Sequence, residues 1–159
     1  MEDHVLKLLK HPVGTFQWNE SPNSEEIRKA IKKLEQFPEE LKKSLAGVTR
    51  EKLKNRYRPQ GWTIAQVVHH LADSHMHSYL RFKHAILEDL PSIKDYKEAD
   101  WAMLEDASHE EISCSIDLLT ALHKRWTFFL NSCSEAQLSR AYFHPERDKH
   151  YPLHSTILL

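Results

Sequence analysis

The sequence predicts an all-α bundle in a single domain spanning residues 1–159. Three observations carry this prediction. Two long segments, about 63–87 and 111–131, repeat apolar residues at i, i+3 and i+4 spacing. The chain has three glycines and seven prolines, and most of the prolines fall between the periodic stretches, where helices give way to loops. No stretch shows the strict alternation of a half-buried strand. A chain of this length can bury a core without disulfide or metal staples. Its 40% hydrophobic and 28% charged residues are ordinary for a soluble globular domain.

The elements follow in order. HPVGTFQWNESPNS is an extended lead-in. Asn23 with Glu26 three residues on forms an N-terminal capping pair. Ile27, Ile31 and Leu34 then mark a stripe that Pro38 is expected to interrupt. Leu41, Leu45 and Ala46 carry a further turn or two to a stop at Gly47. Thr49 caps a short helix holding Leu53, and RYRPQGW is a loop. The strongest helix, about 63–87, places Ile64, Val67, Val68, Leu71, Phe82, Ala85 and Ile86 on one face. Residues 88–110 form a connection of a length that often covers a functional pocket, with Tyr96 and Trp101 placed to pack it down. In the helix over 111–131, Ile112, Ile116, Leu119, Trp126 and Leu130 make the stripe, and Leu118, Leu122 and Phe129 widen it. Residues 132–152 are a second polar connection with a short helical piece at SEAQLSRA, and LHSTILL opens another amphipathic helix.

Composition excludes several classes of function. A formal net charge of −1, with no block of like charges and no basic stripe, gives no pull toward nucleic acid or an anionic membrane. No apolar run approaches the roughly 18–20 residues that span a bilayer. The start, MEDHVLKLLKHPVG, is acidic and lacks the apolar core and cleavage site of a signal peptide. Cys114 and Cys133, on one helix, would lie roughly 28 Å apart, too far to pair. Free thiols without an export signal indicate the cytoplasm, and both cysteines are expected to serve packing.

Twelve histidines are the compositional oddity, and four of them fall in VVHHLADSHMH, residues 67–77. On a helical wheel His75 sits near the centre of the apolar face. His70 lies on its flank, nearly in line with Asp73 and His77, and His69 points elsewhere. No histidine pair in this stretch has the i, i+4 spacing that lets one helix grip a metal, so further ligands must come from other helices. His123 lies at the centre of the second stripe. It and His75 could meet inside the bundle, although two separate structural hydrogen bonds are the simpler expectation. Asp73 and the acidic residues 105–111 are expected to be solvated or capping groups, and Arg81 a surface partner rather than the anion anchor it could also be. No G-x-S-x-G, C-x-x-C, H-E-x-x-H or glycine-rich phosphate loop occurs.

The stretch RYRPQGWTIAQVVHHLADSHMHSYLRFKHAILED, with HPVGTFQ before it and SIKDYKEADWAML, LHKRW and FHPE after it, resembles the YfiT-like branch of the DinB superfamily along nearly the whole chain. That branch is described as metal-dependent hydrolases, and the superfamily includes thiol S-transferases such as the bacillithiol transferases. The resemblance implies a four-helix bundle, a homodimer, a small-molecule substrate and a divalent metal, zinc or nickel, held by three histidines. One ligand is the histidine before the leucine of HHLAD, here His70. The other two follow in the family's last helix as an H-x-x-x-H pair, and this sequence stops at Leu159, before that pair. The resemblance therefore implies a truncated last helix and an incomplete site, with metal possible only if other donors replace the pair. His150 and His154 have i, i+4 spacing, but Pro152 lies between them and they are not at the family's position. The alternative is a metal-free helical module that binds a partner helix or its own copy.

Overall fold

A computed structural model describes residues 8–9 and 14–159 of the chain. The expectations for residues 1–7 and 10–13 lie outside the described residues. Helix α1 (Ser24–Leu45) starts as the capping pair requires. Asn23 Oδ1 accepts from the Glu25 and Glu26 amides at 3.0 Å each, and Glu26 Oε2 accepts from the Asn23 amide at 2.8 Å. The expected interruption at Pro38 does not occur, since α1 runs through it. A proline inside a helix leaves the carbonyl four residues back without its N–H donor. That carbonyl, Leu34, instead accepts from His123 Nδ1 at 2.6 Å. A neighbouring helix thus supplies the bond that proline removes.

Helix α2 (Arg50–Leu53) is the single turn capped by Thr49, whose hydroxyl accepts from the Lys52 amide at 3.4 Å. The loop after it closes tightly at Gly61, where a Cβ would come within 2.7 Å of Arg58 Cγ and 3.1 Å of the Arg58 carbonyl. Helix α3 (Ile64–Leu87) then begins at a capping box between Thr63 and Gln66. It ends under Arg140, whose guanidinium donates to the carbonyls of Ala85 and Glu88. That places a cation on a helix C-terminus, where the backbone dipole favours it.

The 88–110 connection is less irregular than the sequence suggests, because it contains two single-turn helices, α4 (Glu98–Trp101) and α5 (Glu105–Ser108). Helix α6 (Ser113–Ser132) packs against both α1 and α3. Its stripe is buried at Leu119, Leu122, Trp126 and Leu130 with Phe129 packed against them, and of the residues expected to widen it Leu118 alone turns outward, 43% exposed. Cys114 is exposed rather than packed, and Cys133 is half-buried with its thiol near the Phe129 carbonyl at 3.3 Å.

The expectation of no strands fails between residues 132 and 152. After α7 (Glu135–Leu138), β1 (Ala141–His144) pairs antiparallel with β2 (Lys149–Pro152), so that Tyr142 lies opposite Tyr151 with the rings stacked at 5.6 Å. Each strand has four residues, too few for alternation to show in sequence. A turn with Asp148 at φ 45° joins them. Phe143 also exchanges backbone hydrogen bonds with Pro91 and Ile93, at 2.9 and 3.0 Å, tying the covering connection to the hairpin. Helix α8 (Leu153–Thr156) follows, with Leu153 at 0% exposure. No helix among the described residues is long and apolar enough to cross a membrane.

The core centres on Phe82 of α3, 1% exposed and edge-on to Trp126 of α6 at 5.5 Å. Phe82→Ala is expected to cost about 3–5 kcal/mol, since it deletes buried aromatic surface and leaves a cavity. Urea unfolding would show this as a lowered midpoint at unchanged slope.

Candidate functional site

One face of α3 carries His70, Asp73, Ser74, His77, Ser78 and Arg81, at offsets 0, 3, 4, 7, 8 and 11, and the 88–110 connection lies over it. Tyr96 and Trp101 pin the connection as expected. The Tyr96 ring stacks on His77 at 4.0 Å and 4°, and Trp101 meets the same imidazole at 5.1 Å. Burial lowers the pKa of His77, Arg81 lowers it further, and Asp95 partly opposes them.

His70 is half-buried on the flank of the helix, its ring 4.7 Å from that of Trp62. Burial lowers its pKa, against the opposing charges of Glu98 and Asp73. A neutral imidazole results, the form that ligates metals. Asp73 is half-buried rather than solvated, and burial, then the Asp106 charge, push its pKa up. Arg81 is not a surface residue either. Its side chain is 18% exposed and lies 3.6 Å from Asp95 Oδ1. The same Asp95 oxygen lies 3.1 Å from His144 Nε2, and Asp95 Oδ2 accepts from the Glu146 amide at 3.4 Å.

His69, which points away from the His70–Asp73–His77 line as expected, is buried. Its Nε2 lies 3.1 Å from the His109 carbonyl and its Nδ1 lies 2.8 Å from the Ser115 hydroxyl. A carbonyl only accepts, so Nε2 carries the proton and Ser115 donates to Nδ1. Gln66, one turn earlier, donates to the Ala102 carbonyl at 2.7 Å. These two side chains fasten the covering connection to α3. The wheel missed them because polar residues that bond a loop look like solvated residues in sequence.

His75 and His123 form one chain rather than the two separate bonds favoured by the sequence. His123 Nδ1 donates to Leu34, so its Nε2 accepts from His75 Nδ1 at 2.6 Å, leaving the lone pair on His75 Nε2. Phe37 stacks on His123 at 5.3 Å and lies tilted over His75 at 5.1 Å. Burial, then His123 and His70, pull the His75 pKa down to about 4. Burial lowers His123 as well, against the favourable Leu34 bond.

His150 is exposed beside Phe143, and His154 lies 2.9 Å from the Ser155 hydroxyl. Among the described residues no group of three His, Cys, Asp or Glu side chains is arranged to hold a metal ion. His70 therefore fits a metal as a single donor, and the described residues do not complete a site around it.

A covered polar helix face with a neutral histidine, built on a helical bundle, defines a class, and comparison with known proteins gives it a family. The chain belongs to the DinB superfamily, whose family model matches residues 33–158. It is 42% identical over 138 residues to the "putative metal-dependent hydrolase YfiT" of Bacillus subtilis, covering 87% of this chain and 78% of that protein. It is 43% identical over 141 residues to a similarly named protein of Bacillus mycoides, covering 89% of this chain and 81% of the relative. The solved structure of B. subtilis YfiT, described as a probable metal-dependent hydrolase with an unusual four-helix bundle topology, superposes with a TM-score of 0.93 at 39% identity. That match covers 96% of this chain and 87% of the solved one. The fold class read from the sequence agrees with that topology.

Proposed function

We propose that this chain is a metal-dependent hydrolase of small molecules, with His70 supplying one imidazole to a divalent cation, zinc or nickel. The observation that supports it is His70 itself, a neutral, half-buried histidine of HHLAD on a covered polar helix face, in a chain 42% identical to a protein named as such a hydrolase. A three-histidine site would need two further donors, from another helix of the bundle or from a second copy of the chain. Bound metal would supply a Lewis acid that activates water, or a thiol if the chemistry is S-transfer. The chain's own residues shape access: Gln66 and His69 hold the covering segment, and Tyr96 and Trp101 wall the face. A homodimer and a cytoplasmic location belong to the same proposal.

Elemental analysis of the purified chain and its His70→Ala variant tests this. The expected result is near-stoichiometric zinc or nickel that disappears in the variant. No metal in either would favour the second reading, a metal-free module that binds a helix or its own copy. That reading draws on the lack of a three-donor group among the described residues and on exposed apolar side chains such as Phe128 and Leu87, 79% and 82% exposed.

A further inference from the structure

A cavity of about 640 Å³ lies between the polar face of α3, the covering segment and the hairpin. This is within the range of small-molecule sites. Ser74, one turn beyond His70, lines it, so it adjoins the candidate site. Charges are plentiful in its walls, but several are already spent. Arg81 and Asp95 face each other at 3.6 Å, and Lys97 and Asp100 are 4.0 Å apart at the rim. Among the described residues no carboxylate lies within ion-pair distance of Arg147, whose side chain donates a hydrogen bond to the Tyr151 hydroxyl at 3.4 Å. Glu98, on α4, likewise has no ion-pair partner among the described residues. The two line the same cavity from different elements.

The wall also holds unused hydrogen-bonding capacity. Arg81 Nε and His144 Nδ1 are buried without a hydrogen-bond partner among the described residues. His144, 7% exposed, directs Nε2 to Asp95, which only accepts when ionised. Native interiors leave few such groups unpaired, so this wall is polar beneath its surface as well as at it.

We propose that this cavity binds the zwitterionic headgroup of an α-amino acid, free or as part of a larger substrate, with Arg147 taking the carboxylate and Glu98 the ammonium. A singly charged ligand fits less well: a carboxylate alone would leave Glu98 and Glu146, which also lines the cavity without an ion pair among the described residues, unmatched, and an ammonium alone would leave Arg147 unmatched. The Arg81–Asp95–His144 cluster positions the wall rather than touching the ligand, since its unpartnered atoms are buried. This names a substrate class for the hydrolase reading, but the binding step itself needs no metal.

The test is an NMR titration of the full chain, treated with chelator, using L-alanine, N-acetyl-L-alanine and L-alaninamide as probes. L-Alanine is expected to shift the Ser74, Ser78 and Tyr96 amides saturably, while each blocked probe binds at least tenfold more weakly. Arg147→Gln should lower alanine affinity to that of alaninamide, and Glu98→Gln should lower it to that of N-acetylalanine. Unchanged spectra elsewhere would establish that both variants are folded. Equal binding of all three probes, or no saturable shift in the folded wild-type chain, would overturn the proposal. Neither result depends on whether His70 holds metal, so the two proposals fail separately.

Discussion

Lowering the pH from 7 to below 4 is expected to remove up to about 3 kcal/mol of folding stability through His75 alone. The folded protein depresses the pKa of this imidazole to about 4 from an ordinary 6.5, so the unfolded chain binds its proton first as pH falls. Stability from this residue is fully present above 6.5, declines through the window between 6.5 and 4, and is lost below it. Geometry determines which ring is charged. His123 uses Nδ1 for Leu34 and Nε2 for His75, whereas His75 Nε2 keeps a lone pair, so His75 can take the proton while the hydrogen-bonded chain stays intact. The cost is then desolvation and repulsion, not a broken bond. Burial also lowers the pKa values of His70, His77, His144 and His154, and all of them act in the same direction. Urea unfolding midpoints at several pH values, for wild type and His75→Gln, isolate the His75 share. The glutamine amide can still donate to His123, so the variant's curve should be flatter by about that amount. Parallel curves would show that His75 contributes nothing.

The same histidine pair shows where sequence and structure part. Periodicity located α3 and α6 to within a residue or two, because burying one face of a helix imposes a period that survives in the sequence. It also placed His75 and His123 toward the interior. It could not show that Pro38 stays within α1, since that depends on His123, 85 positions on, donating to Leu34. Proline read locally ends a helix, and proline with a donor from the next helix does not. The hairpin was missed for a related reason. Four-residue strands bury Tyr142 and Tyr151 through pairing and tyrosine stacking, which leave no periodic trace.

The polar face divides in the same manner. The place of His70 on the flank of the helix was legible from the helical wheel. The surroundings that set its charge were not, because Glu98 and Asp106 arrive from the covering connection. Asp95 was invisible too. It joins Arg81 of α3, His144 of β1 and the Glu146 amide, three places that only the fold brings together. Local chemistry named the residues that could act, and tertiary contacts decide which of them are neutral, paired or free.

Replacing His69 by alanine is expected to cost about 3 kcal/mol and to loosen the covering connection more than the bundle. The variant leaves the Ser115 hydroxyl and the His109 carbonyl without their shared partner, a loss of about 1–3 kcal/mol, and opens a cavity where a side chain 5% exposed had packed. The two ends of the connection should respond differently. Residues 96–102 remain held by the Gln66 bond to Ala102 and by the stacking of Tyr96 on His77. Residues 103–112 lose their fastening, although Ala107 stays apolar and buried at 4% exposure. Hydrogen exchange should therefore accelerate at the Ala107 amide, bonded to the Leu104 carbonyl at 3.1 Å, well before it does at Trp101. His69→Phe restores volume without either hydrogen bond, and separates the two causes. If the bonds are what hold the segment, its exchange in the phenylalanine variant will stay fast while part of the global stability returns. Equal acceleration across 96–112 in both variants would mean that the connection opens as one unit and that Gln66 does not anchor its first half.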